Sequence, residues 1–129
     1  MANRVLVLDE PCSRLDPVGT REVLSFIRKL RVDKKLTVVM ATASPEEAAE
    51  FADRVCVLKN GRLLAFDSPS RVFSDARLLA HAGIEPPEVS EFAFRMAEFG
   101  RPLPRFPLTV DEAVESVIDW HRGLEREGP

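Results

Sequence analysis

Most telling is a missing motif. None of the six glycines, at positions 19, 61, 83, 100, 123 and 128, is followed by lysine. The pattern Gly-x-x-x-x-Gly-Lys-Ser/Thr is therefore absent, and with it the ring of backbone amides and the lysine that cradle nucleotide phosphates. Long apolar runs are missing too. The longest, Val5 to Leu8 and Val38 to Ala41, fall far short of the roughly 20 residues of a membrane-spanning helix, which excludes direct membrane insertion by this route. The N-terminal Met-Ala-Asn-Arg leads into a short apolar run and then Asp9 and Glu10. That is not the layout of a signal peptide, and a cytoplasmic location is expected. Cys12 and Cys56 have no metal-ligand spacing and are too few for a disulfide framework, so both are read as reduced thiols. A balance of 18 basic against 21 acidic residues, net -3, supplies no field to draw the chain to nucleic acid or an anionic surface.

What remains is the composition of an ordinary globular protein, 45% hydrophobic and 30% charged over 129 residues, enough for a core of its own. Arg4 to Leu8 is a continuous β-favouring run, the pattern of a parallel strand buried on both faces. A helix should follow, capped by Asp16, with Pro17 in its first turn and an apolar face of Val23, Phe26, Ile27 and Leu30 closed by Lys34-Lys35. Thr37 to Thr42 repeats the buried-strand pattern. Ser44-Pro45-Glu46-Glu47 then reads as a capping-box start for a helix with Ala48, Phe51 and Ala52 inside. Asn60-Gly61 between Val55–Leu58 and Arg62–Phe66 is a strong hairpin signal.

After Asp67 the β signals end. Pro86-Pro87 opens a helix carrying Val89, Phe92, Ala93, Met96 and Phe99, which Gly100 can end. Thr109-Val110-Asp111-Glu112 opens another with Val114, Val117 and Ile118, with Gly123 after its last turn. The stripe of Phe92, Met96 and Phe99 is expected in the core, while His81, His121, Arg71 and Arg77 are expected at the surface. The boundary between the α/β part and the helical part falls near residues 67–75, giving regions 1–70 and 71–129.

The chemistry concentrates at Asp9 and Glu10. Two carboxylates ending a buried strand would lie on opposite sides of the emerging backbone, at the strand end where open α/β sheets bind ligands. One acid could hold a metal ion through water and the other could orient or deprotonate an attacking water. Taken alone, such a pair is most often a solvated strand end. Cys12 reads as a small loop residue rather than a nucleophile, since no histidine lies near it in sequence.

The surrounding residues raise the stakes. Leu6-Val7-Leu8-Asp9-Glu10-Pro11 followed by Ser13-Arg14-Leu15-Asp16-Pro17 resembles the Walker B motif and D-loop of ABC ATPases. Ala48 to Val55 and Leu58-Lys59-Asn60-Gly61-Arg62 resemble the segment that follows that family's switch histidine. Ser74 to Leu79, Gly83 to Pro87 and Leu108 to Ala113 are similar to the C-terminal extension of cobalt/nickel and energy-coupling-factor importers. The resemblance implies a partial P-loop NTPase-like α/β core, with parallel strands, helices and a β-hairpin, followed by a small helical extension.

By the same resemblance Asp9 is the magnesium-side carboxylate, Glu10 the catalytic glutamate and Ser13, Arg14, Leu15 and Asp16 the D-loop. Mg-ATP would be the cofactor of the full-length protein, and none is expected to bind tightly to this chain alone. A second ATPase subunit and membrane subunits of an importer are the implied partners, with a peripheral position at the inner membrane once assembled and self-association of this chain also expected. The phosphate loop and signature motif would belong to a preceding half.

Two departures stand out: Cys12 and Arg14 replace the usual threonine and glycine, and Thr42-Ala43-Ser44 stands where the family reads Thr-His-Asp. Alanine at the switch position cannot hydrogen-bond a γ-phosphate or its attacking water. The expectation is part of an ATP-hydrolysing subunit that is inactive alone, or else a non-catalytic interaction module derived from one.

Overall fold

A computed structural model describes residues 4–126. The chain divides after Ser44 into two compact units. In the first, strand β1 (Val5–Asp9), helix α1 (Pro17–Lys34) and strand β2 (Thr37–Ala41) form a β-α-β crossover. The strands pair in parallel, from Val5 opposite Thr37 to Asp9 opposite Ala41. Helix α1 starts as its sequence dictates: Asp16 Oδ1 accepts from the Gly19 amide at 2.7 Å, and Pro17 occupies the first turn, where its missing N–H costs nothing. It ends at Lys35, left-handed at φ 50°.

Burial in this unit corrects the sequence expectation. The strands are covered on one face only: Leu6, Leu8, Val38 and Met40 are half-buried, while Val5, Val7 and Val39 are 56%, 71% and 53% exposed. A parallel sheet needs a layer on each face, and one crossover helix supplies only one. On α1 the buried positions are Leu24 and Ile27, whereas Phe26, expected inside, is exposed.

The second unit comprises α2 (Pro45–Phe51), β3 (Val55–Lys59), β4 (Arg62–Asp67), α3 (Pro69–Phe73), α4 (Ala76–Ala82), α5 (Glu88–Glu98) and α6 (Val110–Arg126). The β3–β4 hairpin turns at Asn60 and Gly61, both with positive φ (50° and 73°), between paired Lys59 and Arg62. These are the demands of a primed turn, which asparagine and glycine meet with least strain. Its inner face packs Val57 against Val72, Phe73 and Leu79 of α3 and α4.

Two fully buried hydroxyls organise the helical part. Ser90 Oγ donates to the Pro107 carbonyl at 2.6 Å. Ser116 Oγ accepts from the Arg105 amide at 3.1 Å and donates to its carbonyl at 2.7 Å. The segment joining α5 to α6 is thereby fastened to both helices, and Phe106 adds an edge contact to Phe94 with ring centroids 5.0 Å apart.

Two expectations fail here. Phe92 and Phe99 are 44% and 81% exposed rather than core, because α5 turns Ser90 and Ala93 inward instead. Gly123 lies inside α6, which runs on to Arg126. At the start of α6 the capping box is half met: Thr109 Oγ1 accepts from the Glu112 amide at 3.3 Å, while the Glu112 carboxylate accepts from the Leu108 amide at 2.7 Å, one residue earlier than the full box requires.

Candidate functional site at the carboxyl ends of β1 and β2

Because β1 and β2 are parallel, their carboxyl ends emerge side by side. Asp9 is the last residue of β1, exposed and opposite Ala41. Glu10 then leaves the strand. Its φ is +46°, a left-handed conformation uncommon for a residue with a side chain, and its amide donates to the Ala41 carbonyl at 2.8 Å. The alternation that would set two carboxylates on opposite sides of an extended chain therefore holds only through Asp9, and Glu10 is aimed by a strained turn instead. Strain of this kind costs about 1–3 kcal/mol and clusters at functional sites.

The loop that follows is compact. The Ser13 amide donates to the Glu10 carbonyl at 3.3 Å and the Leu15 amide to that of Cys12 at 3.1 Å, with Cys12 buried beneath. Ser13, Arg14, Leu15 and Asp16 are all exposed. Asp16 is committed as the cap of α1, so the candidate loop and the helix start are one structure. On the neighbouring strand Thr42 Oγ1 accepts from the Ser44 amide at 3.1 Å, and between them lies exposed Ala43. The fold thus brings Asp9, Glu10 and Ala43 to one end of one strand pair.

No group of three or more metal-ligating side chains forms among the described residues. A hard divalent cation that keeps most of its waters needs only one or two carboxylates plus phosphate oxygens, and exposed Asp9 at a strand end fits that demand. Among the described residues Cys12 and Cys56 form no disulfide, and His81 and His121 are exposed. Arg71 pairs with Asp67 at 3.4 Å while 78% exposed. Asp67 also accepts from the Ser68 amide at 2.7 Å; that bond, helped by Arg71 and Arg54, holds its carboxyl below the usual carboxylate range.

A parallel strand pair joined by a helix, a hairpin, a helical extension and a paired carboxylate at a strand end together make a mixed α/β fragment of the P-loop NTPase kind, similar to part of an ABC ATPase. No family model matches the chain. Among individual proteins it is 38% identical over 117 residues to the energy-coupling factor transporter ATP-binding protein EcfA1 of Caldanaerobacter subterraneus, covering 91% of this chain and 42% of that protein. It is 35% identical to the EcfA2 protein of Streptococcus agalactiae serotype Ia, with 91% and 41% covered. In three dimensions it is similar to cbiO1 from Clostridium perfringens, described as part of the ABC transporter complex cbiONQ. There the TM-score is 0.54 and the identity 26%, over 75% of this chain and 35% of the other. The chain is a homologue of ATP-binding subunits of energy-coupling-factor ABC transporters and spans about two fifths of the length of these relatives, a share that fits their C-terminal half.

Proposed function

We propose that this chain is a portion of the ATP-binding and ATP-hydrolysing subunit of an ABC importer for metal ions or vitamins, and that it does not turn over ATP by itself. Residues 1–70 are the second half of the ATPase core and residues 71–129 a helical C-terminal extension. Asp9 is the magnesium-side carboxylate, and Glu10 orients or deprotonates the attacking water. Ser13, Arg14, Leu15 and Asp16 form the D-loop, facing a second ATPase subunit. Mg-ATP is held only once a phosphate-binding half of the core is supplied, and membrane subunits of the importer then hold the assembly at the inner membrane from the cytoplasmic side.

The observation that carries this reading is the parallel pairing that sets Asp9 and Glu10 beside the end of β2. The Ala43 side chain at that end supplies no hydrogen bond, and a lost donor of this kind typically lowers turnover by about 10²–10³-fold. The same residue, together with the exposed apolar faces, favours the second reading: a non-catalytic interaction module built on an ATPase scaffold.

Nucleotide affinity separates the two. Titrated with a fluorescent ATP analogue and Mg²⁺, the chain alone should bind negligibly. Adding, as a separate polypeptide, the phosphate-loop half of a related subunit should produce saturable binding weakened by Asp9→Asn. No binding in the mixture, with the two halves shown to associate, would favour the interaction module.

A further inference from the structure

Helices α4 and α5 meet at an elbow, residues 83–87, and the adjoining end of each is completed by a charged side chain from far earlier in the chain. At the end of α4 the Leu79 and Ala80 carbonyls accept from the Gly83 and Ile84 amides. The His81 carbonyl accepts instead from Nζ of half-buried Lys59, the last residue of β3. At the start of α5 the Ser90 and Glu91 amides donate to the Pro87 carbonyl at 2.8 and 2.9 Å. Pro87, the cap residue, offers no side-chain acceptor, and the Glu88 amide donates to Glu46 Oε1 at 3.2 Å, from 42 residues away in sequence. A cation thus sits at a helix C-terminus and an anion at a helix N-terminus, each the sign that the helix dipole favours. Beside this pair Ala48 and Ala49 of α2 pack on the same apolar core as Ile84 of the elbow and Phe94 of α5.

Of the two charges, Glu46 leads along the chain to the candidate site. It is the second residue of α2 and stands three positions after Ala43. The link between them is stiff: the Ser44 amide donates to Thr42 Oγ1 at 3.1 Å, and Pro45 fixes its own φ. The side chain that caps α5 therefore also anchors the helix to which Ala43 is tied. We propose that Glu46 is a positioning residue, acting through the start of α2 so that the order of residues 43–44 depends on the order of α5. The clamp stands on its own geometry; only its consequence for ATP hydrolysis rests on the reading of Ala43 as the switch position.

Amide hydrogen exchange of the full chain, resolved by residue, tests it. Glu46→Ala should speed exchange at the Glu88 and Ser44 amides together, by about fivefold, the usual effect of losing a helix cap. Glu46→Gln, which keeps an acceptor oxygen, should recover most of the protection. Asp75→Ala removes a different cap, the 2.9 Å bond from the Leu78 amide at the start of α4, and should leave Ser44 unchanged, which separates coupling from a general loss of stability. Arg95→Gly weakens α5 at an exposed position and should speed Ser44 exchange about threefold in the wild-type background but not beside Glu46→Ala. An unchanged Ser44 amide in Glu46→Ala, equal acceleration in Asp75→Ala, or an Arg95→Gly effect that persists without Glu46 would each overturn the proposal. None of these readouts involves nucleotide, so their failure is distinct from failure of the ATPase reading.

Discussion

At residue scale the candidate site turns on two positions that sequence and structure treat differently. Ala43 is legible in the sequence, because Thr42-Ala43-Ser44 follows a β-favouring run and the alanine side chain carries no polar atom. Glu10 is only half legible: its presence after Asp9 is plain, but a run of β-formers cannot tell where the chain leaves the extended conformation, and the left-handed turn appears only in the structure. In a domain completed with a phosphate-loop half, Ala43→His should raise kcat by about 10²–10⁴-fold, the usual contribution of one positioned acid–base group. Glu10→Gln should abolish the gain. Single-turnover ATP hydrolysis measures both, and an unchanged rate on adding histidine would remove Ala43 from the switch position.

Asp67 tests electrostatics at the same scale. Its carboxyl is held low first by the Ser68 amide, then by Arg71 and Arg54. A depressed folded-state pKa contributes stability that is complete above the unfolded value, near 4, and is lost as pH falls through the lower folded value. Urea unfolding of wild type against Asp67→Asn should therefore show a wild-type advantage at pH 7 that shrinks steadily below about pH 4. An advantage independent of pH would mean that the carboxylate charge is not what matters.

Among the elements, those set by local chemistry were readable. Asp16 and Pro17 start α1, Asn60-Gly61 turns the hairpin, and Gly100, at φ 72°, follows the end of α5. Each depends on neighbours a few residues away. What failed depended on distant partners. Val5, Val7 and Val39 read as buried because only their own pattern was visible, and Phe92 and Phe99 because helical spacing identifies an apolar stripe without saying what covers it. The buried hydroxyls of Ser90 and Ser116 had no sequence signal, since their partners lie 17 and 11 residues away. At this scale Asp16→Ala should cost about 1 kcal/mol through loss of the α1 cap, read as a lower urea midpoint at unchanged slope. Retention by Asp16→Asn would attribute the effect to capping rather than charge.

For the molecule as a whole, the first unit carries the candidate carboxylates, and the proposed function has them work only beside a phosphate-binding half. It has a carboxylate at the end of a parallel strand and an open apolar sheet face. The second unit supplies an apolar core around Val57, Val72, Phe73 and Leu79. Such a division suits a piece that works inside a larger assembly, and it makes inactivity of the chain alone the central claim. Phosphate release from Mg-ATP by the purified chain, followed beside its Glu10→Gln variant, tests that claim most directly. The account predicts two superimposable background traces; steady release by wild type above the Glu10→Gln level would contradict it.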